Sequence, residues 1–241
     1  MKINRKILLN PGPATTTDSV KMAQIVSDIC PREKEFGQLT SGIQNDLLKI
    51  VNASSNDYAA VLFGGSGTAG VESVISSVID KDKKLLILIN GAYGERIKQI
   101  SEAHKIPYSF IDFEWSKPID FEIVERFLQV NSEISHIAMI HHETTTGVLN
   151  SIDNLSQVGS KFDKELILDA MSSYAGIPIN LKKTPIHYLV SSSNKCIQGM
   201  AGIAIVICDE RSLKKTKNLS VNSFYLNLYK QYHYIKKTGE M

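Results

Sequence analysis

The sequence predicts a doubly wound α/β fold with a mostly parallel sheet flanked by helices, and three observations carry that expectation. From about residue 58 onward, short apolar runs at 59–63, 85–89, 136–140, 166–168, 188–191 and 203–207 recur with the length of buried strands. Between them, Val71, Val74, Ile75, Val78 and Ile79 keep the spacing of one helix face, and Leu155, Val158 and Phe162 do so more weakly. Alternation of strand and helix in this way is the pattern of β/α units. Small or polar groups follow five of the strands: GGSGT at 64–68, NGAYG at 90–94, HHETTTG at 141–147, Asp169, and SSSNK at 191–195. Ligands of open parallel sheets bind in the crevice at the carboxyl ends of the strands, so these five groups are read as one set.

Residues 1–57 read differently, as an N-terminal arm. An irregular NPGPATTT segment is followed by one or two helices through Ile43, Leu47, Leu48 and Val51. Residues 58–220 form the large domain. In residues 221–241, Tyr225, Leu228, Tyr229 and Tyr232 make an aromatic stripe at helical spacing, suited to core or to a subunit interface. No internal repeat, low-complexity tract or Gly/Ser-rich linker interrupts the chain.

Composition excludes several functions. With 27 Lys and Arg against 25 Asp and Glu in 241 residues, there is no basic field to draw the chain onto nucleic acid or an anionic membrane. Cys30, Cys196 and Cys208 are odd in number and scattered, which argues against a disulfide framework or a zinc site and suits a reducing cytoplasm. At the start, the apolar run stops after Ile7, Leu8 and Leu9 and meets Pro11 and Pro13, too short for a signal peptide. No stretch approaches the length of a transmembrane helix.

The strand-end groups suggest chemistry. Gly64 to Thr68 lies where a strand turns into a helix, so free N–H groups and two hydroxyls would face an anion such as a phosphate; the plainer reading is a turn with Ser66 as N-cap. Gly65, Gly67 and Gly70 also match the dinucleotide spacing G-x-G-x-x-G, but the place for its ribose-binding acid holds Asn90. Asp169 tips a buried strand, as a turn aspartate or as the counter-ion of a protonated ring nitrogen. Lys195, behind three serines and Asn194, is placed to be partly desolvated, as imine chemistry requires. His141 and His142 point to opposite faces of an extended chain and so cannot easily share a metal ion with Glu143. Tyr93 is an aromatic able to stack on a planar ligand.

The ordered series GGSGT, NGAYGER, HHETTTGVLN, LILDAMSSYAG and SSSNKCIQGMAG, with LLNPGPATTT at the start and CPREKEFG at 30–37, resembles the class V, fold type I aminotransferases over essentially the whole chain. Within that family it is most similar to the branch that transfers the amino group of 2-aminoethylphosphonate to pyruvate, giving phosphonoacetaldehyde and alanine in phosphonate catabolism. The resemblance implies the large, cofactor-binding domain of that fold, with pyridoxal 5'-phosphate as cofactor. It implies Lys195 as the lysine that bonds the cofactor, Asp169 as partner of its ring nitrogen and Thr144 as a hydroxyl near the ring. Ser66, Gly67, Thr68 and Asn194 match the phosphate cradle, and Tyr93 the stacking aromatic. A small-molecule amine donor, a keto-acid acceptor and a cytoplasmic homodimer follow, with no metal, nucleic-acid or membrane partner. Alternatives are amino transfer from alanine or serine to glyoxylate, or a truncated, non-catalytic cofactor-binding remnant. The family pattern continues past Met241 into a smaller C-terminal domain that carries an arginine for the substrate acid group. On this reading that domain is missing, residues 221–241 begin the helix leading to it, and the chain alone is a weak catalyst. Arg32 is then the one local arginine considered for the acid group, with a surface charge as its plainer reading.

Overall fold

The computed structural model describes residues 6–239. Residues 1–5, which hold most of the basic prefix, and residues 240 and 241 lie outside the described residues. After a short helix α1 (Asp18–Met22) and a long one, α2 (Lys34–Ile50), come β1 (Tyr58–Gly64), α3 (Gly67–Val78), β2 (Lys84–Ile89), α4 (Ala92–Ala103), β3 (Tyr108–Asp112) and α5 (Phe121–Val130). They are followed by β4 (Ile134–Ile140), the hairpin strands β5 (His142–Glu143) and β6 (Val148–Leu149), α6 (Ile152–Phe162), β7 (Glu165–Asp169), β8 (Tyr188–Ser192), β9 (Ile203–Asp209), α7 (Glu210–Lys215) and α8 (Leu228–Thr238).

One seven-stranded sheet runs in the order β1-β9-β8-β7-β4-β2-β3. Only β9 runs against the rest, pairing antiparallel with both β1 and β8. The central strands are apolar without alternation because both faces are covered. Leu86 and Leu88 of β2 join α2, α5 and α6 in one core cluster, while Leu85, Ile87 and Ile89 join α3, α4 and α8 in the other. All six expected strand segments are strands. The edge strand β3 and the hairpin were not foreseen: β3 is half exposed, with Phe110 facing solvent, so its apolar signal is diluted.

Residues counted as an arm pack onto the sheet, since Leu47, Leu48 and Val51 of α2 and its end enter the core and the Tyr174 hydroxyl donates to the Leu47 carbonyl at 2.6 Å. The aromatic stripe near the end is shorter than its spacing suggested. Asn227 caps α8 by accepting from the Lys230 N–H, so Tyr225 lies outside the helix and is exposed. Leu228, Tyr232 and Ile235 make the buried face instead. Helix α3 is buried on both sides, and its Ser73 and Ser77 hydroxyls donate to the Leu226 carbonyl, tying the approach to α8 against it.

Candidate active site

The six strands that run together bring the ends of β1, β2, β4, β7 and β8 to one edge of the sheet. A cavity of about 440 Å³ opens there, in the size range of small-ligand sites, and its lining includes Ser66, Thr68, Tyr93, Asp169, Asn194 and Lys195. Residues separated by up to 129 positions in the chain thus face one space.

At one wall stands the N-terminus of α3. Ser66 occupies the N-cap position with extended backbone, but its hydroxyl caps nothing, and the first turn holds no acid. The orphan N–H groups and the positive end of the helix dipole are therefore left for an anion. The glycine spacing that resembled a dinucleotide motif has a packing cause. A Cβ on Gly67 would overlap the Met171 thioether, and one on Gly70 would come within 2.9 Å of Val190 Cγ1, so both glycines let α3 sit close to the loop after β7 and to the sheet. Asn90 is buried and spends its amide on Lys117 and Asn150, with no group free for a ribose.

Asp169 closes β7 with 7% exposure. Its Oδ1 accepts from the Met171 N–H at 2.9 Å, and no other hydrogen bond reaches the carboxylate among the described residues. Burial pushes its pKa up to about 6; the Met171 N–H, Arg96 and Lys195 pull the other way, and Glu143 adds to the rise. It is a desolvated acid with a vacant oxygen, the setting that favours a cationic partner. Lys195 is half buried. The loop before it is set by Ser192, whose hydroxyl donates to Asn194 Oδ1 at 2.9 Å, and its Nζ donates to the Gly12 carbonyl at 3.3 Å.

Tyr93 lines the cavity from the first turn of α4, and the Arg96 guanidinium lies 4.7 Å from its ring centre. Arg96 is the arginine that the fold brings to the cavity. Arg32 is exposed in the turn before α2 and does not line it, in keeping with its reading as a surface charge. The signal for Arg96 was its place three residues after Tyr93 in NGAYGER, one helical turn along the same face. A second residue of consequence is Glu143, fully buried beneath α4. Its Oε2 accepts from the Tyr93 N–H at 3.1 Å and its Oε1 from the Thr145 hydroxyl at 2.6 Å. A carboxylate at a helix N-terminus is favourably placed, and this one fixes the turn that presents Tyr93.

Thr144 does not line the cavity; its hydroxyl donates to Ser172 Oγ at 3.1 Å. His141 and His142 hydrogen-bond to Ser173 and Ser172 respectively, and neither lines the cavity. Burial, then His142, lowers the His141 pKa to about 4, so it stays neutral. Among the described residues no group of three or more His, Cys, Asp and Glu could hold a metal ion.

These residues fit pyridoxal phosphate. An uncapped helix N-terminus with the Ser66 and Thr68 hydroxyls suits its phosphate, the under-bonded carboxylate of Asp169 suits a protonated ring nitrogen, Tyr93 suits the ring face, and Lys195 suits the aldehyde.

Comparison with known proteins agrees. The family model for class V aminotransferases matches residues 18–239. The chain is 40% identical over 236 residues to a bifunctional phosphonoacetaldehyde hydrolase/aminoethylphosphonate transaminase of Clostridioides difficile (strain 630), covering 98% of this chain and 37% of that protein. It is 38% identical over 232 residues to a 2-aminoethylphosphonate–pyruvate transaminase of Phocaeicola vulgatus, covering 96% of this chain and 64% of that one. The chain thus spans less than two thirds of either relative. Among solved structures, an alanine–glyoxylate aminotransferase from Nostoc sp. superposes with a TM-score of 0.88 at 24% identity, over 97% of this chain and 62% of that one, a likeness of fold.

Proposed function

The chain belongs to the class V aminotransferases, and from that premise we propose that it carries the cofactor-binding half of a transaminase acting on 2-aminoethylphosphonate and pyruvate. Members of the family depend on pyridoxal phosphate. The observation that carries the reading is the convergence of Lys195, the buried Asp169 and the open α3 N-terminus on one cavity. The choice of substrate is supported by the two sequence relatives at about 40% identity.

When bound, the cofactor supplies an electron sink for charge that develops on the substrate carbon. Lys195 Nζ would hold it, and the same amine is placed to take up and return a proton at the substrate carbon. Asp169 holds the proton on the ring nitrogen; its carboxylate, costly to bury alone, is matched by that cation. Ser66, Gly67, Thr68 and Asn194 hold the phosphate, and Tyr93 orients the ring, itself fixed through Glu143. Thr144 acts at one remove, by holding Ser172. Residues 58–220 constitute the cofactor-binding domain of a cytoplasmic homodimer, and residues 221–241 lead toward the family's C-terminal domain. No helix among the described residues is long and apolar enough to cross a membrane.

The test is a donor and acceptor profile. Alanine formed from 2-aminoethylphosphonate and pyruvate, in preference to glycine formed from alanine or serine with glyoxylate, is the expected result. The reverse preference overturns the substrate assignment, and cofactor uptake without any amino transfer in the protein that carries this chain overturns the enzyme reading.

A further inference from the structure

The irregular N-terminal segment does more than lead into the fold. We propose that residues 10–14 form a positioning strap for Lys195, with the Gly12 carbonyl as the resting acceptor for its amine; the significance of this for catalysis rests on the role given to Lys195 above.

Four observations place the strap. Lys195 Nζ donates to the Gly12 carbonyl at 3.3 Å, across 183 positions of sequence. The Ala14 N–H donates to the carbonyl of Asn194 at 2.8 Å, so the strap is pinned to the residue just before the lysine. The turn is held from within, by Gly12 N–H to Asn10 Oδ1 at 2.9 Å and by Leu8 N–H to Thr15 Oγ1 at 2.8 Å. Finally, no side chain fits at position 12. Gly12 has φ +147°, a conformation that L residues rarely adopt, and a Cβ there would overlap Lys195 Cδ and lie 2.7 Å from Nζ. The lysine stem and the glycine occupy the same small volume, and one cannot grow without moving the other.

The chemistry suits a positioning role. A backbone carbonyl accepts a hydrogen bond but does not take up a proton at ordinary pH, so it orients the amine without competing as a base. A lysine side chain has four rotatable bonds, and fixing its end costs side-chain entropy that a packed stem and a single acceptor offset. Gly12 is therefore a positioning residue, acting on the reaction only through Lys195. No other hydrogen bond to Nζ is formed among the described residues.

Competitive acetylation of the cofactor-free full chain by limiting acetic anhydride at one pH, read by peptide mass spectrometry, measures the exposure of each lysine amine. The labelling of Lys195 is compared with that of the exposed Lys217. In Gly12→Ala the ratio should rise about fivefold, the value of one ordinary net hydrogen bond. Asn10→Ala, which loosens the turn without adding atoms, should raise it in the same direction by a smaller factor, and it decides the matter where Gly12→Ala does not fold. A purely structural loop would change melting temperature without altering this ratio, so an unchanged ratio in the folded variants overturns the strap. The measurement needs no cofactor. Failure of pyridoxal phosphate to label Lys195 would count against the proposed function and leave the acetylation result standing.

Discussion

Replacing Asp169 by Asn is expected to make the cofactor-free protein more stable, not less, above about pH 6, because the buried carboxylate is held far from its preferred state. Burial is the largest cause of its rise from 3.8 to about 6. Between those values the folded protein keeps a proton that the unfolded chain has already released, so stability falls as pH rises through this window and then levels off. The displacement corresponds to at most roughly 3 kcal/mol. Asparagine never ionises, and its side-chain oxygen still accepts from the Met171 N–H, so it removes the cost and keeps the turn. For a chain of this size the gain corresponds to roughly 6–10 °C in Tm. Thermal unfolding of both proteins from pH 4 to 8, without cofactor, should give curves that coincide near pH 4 and separate up to pH 6. Saturating pyridoxal phosphate should reverse the order, because the parent gains a cation for its carboxylate and the variant does not. A variant less stable at pH 8, or a gap independent of pH, would refute the reasoning.

Three further outcomes are expected. Borohydride reduction in the presence of pyridoxal phosphate should attach the label to Lys195, as found by peptide mapping, and Lys195→Ala should abolish it; a label on another lysine removes Lys195 from its role. Gly91→Ala should lower the denaturant midpoint by the equivalent of about 1–3 kcal/mol, since the new methyl would overlap Cγ and Cδ of the fully buried Glu143; an unchanged midpoint would show that Glu143 has room to move. For Glu165, burial pushes the carboxyl up, but the His136 ring 3.3 Å away and Lys215 Nζ at 2.9 Å outweigh it and hold the group well below its usual range. The stability it contributes is present above its unfolded value of 4.5 and lost as pH falls, so Glu165→Gln should flatten the acid-side decline below roughly pH 5, and a parallel decline would contradict this.

Much of the site was legible because a parallel sheet aligns its strand ends. Once 59–63, 85–89, 166–168 and 188–191 were read as strands, the polar groups after them had to share an edge, and Ser66, Tyr93, Asp169 and Lys195 do share one cavity. Thr144 bonds away from the cavity because it sits in the turn between the two-residue strands β5 and β6, a hairpin with too little periodicity to be read. Arg96 and Glu143 were not assigned roles because theirs depend on helix phase and on a buried contact between segments some 50 positions apart, which no local pattern encodes. The strap was hidden for the same reason. NPGPATTT has the composition of a loop, and composition does not tell where a loop returns.

The antiparallel placement of β9 has a consequence for how the chain leaves the ribosome. Among the described residues β1 has no neighbour in the sheet except β9, with Tyr58 opposite Asp209. At ordinary rates of synthesis the run YAAVLFG therefore waits roughly 8–30 s for its partner to be made. Throughout that interval it is an apolar strand with neither edge paired, which is a template for pairing with another nascent chain and a natural target for a chaperone. Premature termination anywhere before residue 203 would leave both edges of β1 open for good, so fragments of this protein are expected to aggregate through β1 even when every other strand has found its place.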